Sequence, residues 1–412
     1  MTEKLAIIIP AYNVEPYIAN CLNSLIAQTY QNWVAYVVDD GSTDKSGSII
    51  DEYKKDDRFI ILHKENGGLS SARNFALNYI EETNGAYSAV TFLDSDDWLA
   101  PEAYETLMSS MKKQNADIIL FGFKRAFSDG RIIENKFSFR EGLVHPSEYF
   151  AAVFSFGEHW KGKNGSGGFV WNKIFKMECI RGYRFIEDRS YNEDEIFCLQ
   201  VGLNANIFHF IDRSFVYYRQ REGSLVRAND FPIKLMKGRD ACLDYVINSS
   251  NIHANDIKKY ICNGIINNAI DIYKYTFIFV DNFSYISKLL YKISDISESL
   301  FLSKEISLEN YKLVKFIAYL YNKNISTNEI MNHIILYNTN ITIAKINSIS
   351  GDVKKLYTIT NTINTKLQKI TDFSMFKYIK FRLLSKITFG KTRKNYKEKY
   401  REQKEIYKNL YK

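Results

Sequence analysis

Proline is scarce in this 412-residue chain, with five in all, and none of its five cysteines forms a C-x-x-C pair. The odd cysteine count and the missing motif point to a reducing compartment, where a structural disulfide is not expected. No run of about 18 apolar residues occurs, so a membrane-spanning helix is not expected. The first residues, Met1–Lys4, lead straight into a strand-like segment without a charged-then-apolar leader, so secretion is not expected. There is no internal repeat and no Pro/Gly-rich linker to mark a joint. Neither phosphate-cradling fingerprint is present. Asn66–Asn74 is not a G-x-G-x-x-G, and the glycine-rich stretch 162–168 lacks the G-K-S/T of a P-loop.

The length itself exceeds one ordinary compact core, so two or more domains are expected. Hydrophobic residues at 46% and charged residues at 25% are ordinary for a globular protein, while aromatics are high at 15%. Heavy use of Asn, Ile, Lys and Tyr with little Pro fits a genome poor in G and C. The formal charge of +8 is uneven: 374–412 carries 13 Lys/Arg against 3 Asp/Glu, which leaves the rest near neutral. Within that stretch Met375, Phe376, Ile379, Leu383, Leu384 and Ile387 recur at helical spacing among lysines and arginines. Such a helix can lie on an anionic membrane surface, or its apolar stripe can dock on the protein. Nucleic acid is not an expected partner, because no stacking motif is interleaved with the basic residues.

The first 125 residues alternate short apolar runs with amphipathic stretches. Strands are predicted at Leu5–Ile9, Trp33–Val38, Phe59–Leu62, Ala89–Leu93 and Asp117–Phe123. Helices are predicted at Glu15–Gln28, Ser46–Lys54, Leu69–Tyr79 and Pro101–Lys113. This is the pattern of an α/β fold with a mainly parallel sheet covered on both faces. Ligands of such sheets sit beyond the carboxyl ends of the strands, where Pro10–Asn13, Asp39–Asp44, Asn66–Ser71 and Asp94–Asp97 fall. Residues 126–228 are less regular, with a helix expected after Asn192 and a strand over Phe208–Tyr218. From about 231 the pattern turns helical. The expected division is 1–230, 231–373 and a basic tail 374–412.

Four polar clusters carry candidate chemistry. Asp94 and Asp96 are two apart at a strand end and can face one spot. Paired carboxylates there suit a hard divalent cation, or alternatively cap the following helix. Asp39 and Asp40 end the second strand. An acid there can accept from a base N–H or a ribose hydroxyl, or simply cap a strand–turn–helix. In Asn66–Asn74 two glycines allow close backbone approach, and Arg73 can reach a diphosphate with its planar fork. One carboxylate of Glu193-Asp194-Glu195 can serve as a general base, and the same residues can simply complement a helix dipole. The loop 162–168 is expected to act as a lid or to be a plain surface loop.

Taken in order, Ile8-Ile-Pro-Ala-Tyr-Asn13, Val38-Asp-Asp-Gly-Ser-Thr-Asp44, Asn66-Gly-Gly-Leu-Ser-Ser-Ala-Arg-Asn74, Asp94-Ser-Asp-Asp97 and Glu193-Asp194 resemble the motifs of family 2 glycosyltransferases. The resemblance covers roughly residues 4–225 and implies the nucleotide-binding GT-A fold followed by a mostly helical C-terminal region. It implies that Pro10, Ala11 and Tyr12 line the base and ribose pocket. Asp40 would bond the base, with Asp39 competing for that role. Asn66 and Arg73 would hold the nucleotide and its diphosphate, and Asp94 with Ser95 would meet the ribose. Asp96 would ligate Mn2+ or Mg2+, and Asp194 would be the base with Glu193 beside it. Trp171 and Asn172 would shape the sugar or acceptor site, and Arg219 would approach the diphosphate. Gln220 and Arg221 stand where many relatives carry a histidine, so an arginine is the expected charge neutraliser there.

The implied activity is inverting transfer of a sugar from a nucleotide sugar, UDP by default, to a hydroxyl of a glycan or lipid-linked glycan in bacterial surface-polysaccharide synthesis. The expected setting is cytoplasmic, with the tail offering peripheral contact to the inner face of the membrane, and an oligomer is compatible with the helical half. Two alternatives stand beside this reading. One is transfer to a polyprenyl phosphate. The other is a catalytically silent scaffold that only binds the nucleotide sugar.

Overall fold

In this computed structural model the described residues are 3–135, 140–154, 168–187, 192–221, 231–247, 254–275, 283–293 and 314–315. The strands are β1 Leu5–Ala11, β2 Trp33–Asp39, β3 Phe59–His63, β4 Ala89–Phe92, β5 Trp98–Leu99, β6 Ile118–Phe127, β7 Ile132–Asn135, β8 Gly142–Val144, β9 Lys173–Lys176 and β10 Phe208–Gln220. They form one sheet in the order β3-β2-β1-β4-β9-β6-β10-β5, with β7 on β6 and β8 on β10. The pairs β3/β2, β2/β1, β1/β4 and β6/β10 are parallel, and β9 runs antiparallel between β4 and β6.

Strands β1 and β2 are buried along their whole length, as the unbroken apolar runs LAIIIPA and WVAYVVD require of central strands covered on both faces. A proline this far inside a sheet needs a reason. Ile8 C=O accepts from Leu93 N, so Ile8, and Pro10 two residues on, face β4, where the ladder has stopped at Phe92. The missing N–H of Pro10 therefore costs no ladder bond. The chain runs outward from β1 to β2 and β3, then returns to β4 on the other side of β1. That reversal opens a crevice at the carboxyl ends of β1, β2 and β4.

The helices are α1 Ile18–Ile26, α2 Ser46–Asp51, α3 Leu69–Glu82, α4 Ala103–Gln114, α5 Pro146–Val153, α6 Met177–Ile180, α7 Glu193–Leu203, α8 Phe231–Ile247, α9 Ala254–Tyr275 and α10 Phe283–Lys292, and a 3-10 turn covers Glu52–Lys55. Several boundaries differ from the sequence pattern, and three of them illustrate how. Helix α1 starts at Ile18 because Glu15 N and Val14 N donate to Asp44 and Ser46 instead of opening a helix. The second helix tightens into its 3-10 turn after Asp51. Strand β10 extends to Gln220 through irregular register between Ile211 and Val216. The irregular middle segment adds β7, β8 and β9, which pair antiparallel and give no alternation signal of their own.

Two compact units divide the chain, residues 1–325 and 326–412. In the first, helices α8 and α9 pack on the same body as the sheet, so contacts run across residue 230, where composition places a border. The tail 374–412 and residues 162–167 of the glycine loop lie outside the described residues. All five cysteines are buried thiols. Among the described residues no helix is long and apolar enough to cross a membrane.

Candidate active site

The end of β2 and the loop after β3 lock together through Asp40. Its carboxylate accepts from Gly67 N at 3.0 Å, Gly68 N at 2.7 Å and Lys64 Nζ at 2.7 Å. Asn66 Nδ2 returns a bond to Asp40 C=O at 2.9 Å. The turn is tight enough that Gly41, at φ 72°, would place a Cβ 2.8 Å from Asn66 N, so only glycine fits. Asp40 N donates to Ala11 C=O, tying this cluster to the end of β1, where Tyr12 stands 48% exposed.

Asp39 faces the other way. It accepts from Ser42 N and from His63 Nδ1 at 3.0 Å, while His63 Nε2 meets Asp51 at 2.9 Å. Burial pulls the His63 pKa down, but the hydrogen bonds to Asp51 and Asp39 outweigh it and raise the pKa above its ordinary value. A histidine raised on folding stabilises fully below about pH 6.5 and loses that contribution as pH rises through its folded pKa. His63→Ala should therefore melt below wild type by about 1–3 °C at pH 5.5, the scale of a half-exposed pair. The gap should close by pH 8. Differential scanning fluorimetry at the two pH values checks this, and a gap that widens with pH removes the charged form from the account.

The third cluster forms where β4 ends. Arg73, inside α3 and only 1% exposed, lies over the Phe185 and Phe92 rings at 5.0 and 6.0 Å. Its Nη2 donates to Asp94 at 3.1 Å, and its Nη1 to Asp194 at 2.6 Å and Glu193 at 3.4 Å. Val170 N holds the other Asp194 oxygen at 3.2 Å. Thus one guanidinium from α3 joins the β4 end to the first turn of α7. Burial, partly offset by Arg73 and reinforced by Asp96 and Asp194, raises the Asp94 pKa to about 6. Burial and then the charge of Asp194 raise that of Glu193.

A fourth group abuts the third. Arg221 Nε donates to Asp96 at 2.6 Å, and Arg219 Nε to Asp96 C=O at 2.7 Å. Arg219 N donates to Asp97 at 2.8 Å, and its guanidinium sits over Trp98 and Tyr17 at 4.5 and 4.9 Å. Asp97 is fully buried, and burial followed by the charges of Asp96 and Asp94 pushes its pKa well up. Through the bond from Arg219 N it braces β10. Trp171 is buried in a three-ring cluster with Phe169 at 4.6 Å and Tyr218 at 5.2 Å, one residue from the amide that holds Asp194.

The residues singled out from the sequence thus gather in two connected places. Asp39, Asp40 and Asn66 adjoin the β1 end with Pro10, Ala11 and Tyr12. Asp94, Ser95 and Asp96 adjoin Arg73, Glu193, Asp194 and Arg219. Arg73, expected on a diphosphate, has both Nη atoms on carboxylates. Sequence reading passed over Lys64 and His63, which occupy both acids of the β2 end. Their only signal is position, directly after an apolar strand and just before Asn66.

Acidic and guanidinium side chains thus meet at the switch point of a mainly parallel sheet, the place where ligands of such α/β folds bind. Residues 6–185 match the family described as Glycosyl transferase family 2. Glycosyltransferase GlyG of Streptococcus pneumoniae serotype 4 is 30% identical over 233 residues, 55% of this chain and 74% of that protein. Glycosyltransferase GlyA of the same organism is 35% identical over 233 residues, 55% of this chain and 32% of that protein. The chain belongs to glycosyltransferase family 2. It spans about a third of GlyA's length. The crystal structure of S. aureus TarS 1-349 in complex with UDP-GlcNAc matches with a TM-score of 0.59 at 20% identity, over 78% of this chain and 92% of that one. At that identity the likeness is one of fold.

Proposed function

We propose that this glycosyltransferase moves a sugar from a UDP-sugar to a hydroxyl of a glycan or lipid-linked glycan acceptor, with inversion, in bacterial surface-polysaccharide synthesis. The observation that carries the reading is Arg73, which draws Asp94 from the β4 end and Asp194 from α7 onto one guanidinium. Donor and base are thereby brought to one crevice. The UDP-GlcNAc held by TarS supports a UDP donor on a similar fold.

In this reading Asp40 and Asn66 recognise the base, Tyr12 covers it, and Asp94 with Ser95 meets the ribose. Lys64 must leave Asp40 or share it when the base arrives. Asp96 has one oxygen on Arg221 and no protein partner on the other among the described residues. No group of three or more metal-binding side chains occurs among those residues. One carboxylate oxygen, completed by diphosphate oxygens, fits the coordination habit of Mg2+ or Mn2+. A cation held there supplies positive charge against the diphosphate. Arg219 and Arg221 supply fixed positive charge beside it.

The step balances as follows. Asp194 takes the proton of the acceptor hydroxyl, and the acceptor oxygen bonds to the anomeric carbon from the face opposite the diphosphate. The bond from that carbon to the phosphate oxygen breaks, and its electron pair leaves on the nucleoside diphosphate. Trp171 and its neighbours wall the acceptor side. The basic stretch 374–412 would bring the enzyme to the anionic surface where a lipid-linked acceptor lies.

Thermal melting with UDP, GDP and CDP, each with and without Mn2+, tests the donor assignment. A ligand at 100 times its dissociation constant stabilises by about 2.7 kcal/mol. The expected result is the largest shift with UDP plus Mn2+, and loss of the Mn2+-dependent part in Asp96→Ala. No shift with any nucleotide would sink the donor reading.

A further inference from the structure

Beyond the segment that matches the family, a second arginine grips the helix that carries the candidate base. Arg239 lies in α8 and is 1% exposed. Its Nη2 and Nε donate to the two oxygens of Glu195 at 3.1 and 3.3 Å, a two-bond fork, and Nη2 also donates to Phe154 C=O at 2.8 Å. Glu195 is equally enclosed and takes a third bond from Asn192 Nδ2 at 3.1 Å.

The packing around this pair leaves little slack. A Cβ on Gly168 would lie 2.3 Å from Glu195 Cγ. One on Gly238 would lie 2.3 Å from Asn192 Cβ, and one on Gly264 would lie 2.3 Å from Arg239 Nη1. Two of these close approaches, from the loop before β9 and from α9, meet the ion pair itself, and the third, from α8, meets Asn192, which bonds Glu195. Asn192 enters α7 in a left-handed turn, at φ 65°, so the helix start is set by these neighbours and not by a side-chain cap.

The first turn of α7 holds three successive carboxylates, Glu193, Asp194 and Glu195. Left to themselves they repel. Arg73 takes the first two from the sheet side. Arg239 takes the third from the helical side. Asp194 stands between the two clamps, so a shift of either end of the turn moves its carboxylate relative to Val170 N and the acceptor. We propose that Arg239, through Glu195, is a positioning residue for Asp194, which makes the helical region after residue 230 part of the catalytic machinery. This rests on the reading of Asp194 as the base.

Replacing a buried ion pair by apolar groups of similar size is often neutral for stability, whereas removing one partner is not. The decisive protein is therefore the full chain with Glu195→Leu and Arg239→Met together. Initial rates of UDP release are measured with the UDP-hexose that wild type uses best. The expected result is a melting temperature near wild type, a kcat lower by roughly tenfold or more, and a donor KM within about twofold. Arg239→Lys, which keeps the charge but loses the fork, should lose kcat by less than the double variant with KM again unchanged. A purely structural role would lower the melting temperature and leave the kcat of the folded protein alone. Wild-type kcat in the double variant overturns the proposal. Should that variant not fold, wild-type kcat in Arg239→Lys overturns it on the same assay. Asp194→Asn run in parallel separates the two readings. Full turnover there removes the base itself, while loss there beside full speed in the double variant removes only the role of Arg239.

Discussion

Asp194→Asn lowers turnover by roughly 100-fold or more, the scale of a general-base contribution, and leaves the dissociation constant for UDP within about twofold. The substitution keeps size and one acceptor oxygen; with that oxygen on Val170 N, the amide NH2 faces Arg73 Nη1, which keeps its bond to Glu193. What goes is the capacity to take a proton. Nucleotide affinity is spared if, as proposed, base recognition belongs to Asp40 and Asn66, on the far side of β1, to neither of which Asp194 bonds. Isothermal titration with UDP and initial rates on the same preparation check both halves. The outcome also sorts the acceptor. A phosphate acceptor is already ionised and needs no base, so unchanged turnover would discard the hydroxyl reading and favour polyprenyl phosphate. Loss of UDP binding along with rate would instead mean that Asp194 serves the donor.

Much of this was legible before any coordinate. Leu5–Ile9 and Trp33–Val38 are buried strands because a central parallel strand must be apolar on both faces, and that leaves an unbroken run in the sequence. Asp40, Asn66 and Asp94 fall where strand–helix alternation places loops at one sheet edge, and Asp194 falls in the helix expected after Asn192. Asp94 and Asp96 are two apart, yet Asp94 goes to Arg73 and Asp96 to Arg221, because partners on α3 and β10 decide the matter and spacing does not record partners. For the same reason the reach of Arg73 across to Asp194, 121 positions away, was hidden. Strands β7 to β9 were invisible because short antiparallel strands inserted into a parallel sheet carry no period of their own. Arg239 was hidden because an arginine amid a helical, Lys-rich stretch reads as solvated until its burial is known.

The largest loss of stability is expected from Arg73→Met. The methionine fills the space between Phe92 and Phe185 well enough that packing changes little. What it removes is the guanidinium that pairs with Asp94, Glu193 and Asp194. Leaving a buried charge without its partner costs about 3–5 kcal/mol. For a domain of this size that amounts to roughly 6–20 °C in melting temperature. The loss has a sign with pH that a packing defect lacks. Asp94 holds its proton up to about pH 6 even with Arg73 present. Arg73 is a force that lowers this value, so without it the folded pKa of Asp94 rises further, and that of Glu193 follows for the same reason. Groups whose folded pKa lies above the unfolded one are stabilising when protonated and become a burden as pH rises through the folded value. The gap between Arg73→Met and wild type should therefore be widest near pH 8 and shrink toward pH 5.5, where Asp94 and Glu193 are increasingly protonated and need the cation less. Melting curves at the two pH values decide it, and an equal gap at both would mean that Arg73 holds the site by shape and not by charge. A nucleotide diphosphate entering the crevice adds negative charge to the same place. In the proposed reading, fixed guanidinium charge at Arg219 and Arg221, beside the cluster but outside its ion pairs with Asp94 and Asp194, would offset that added charge.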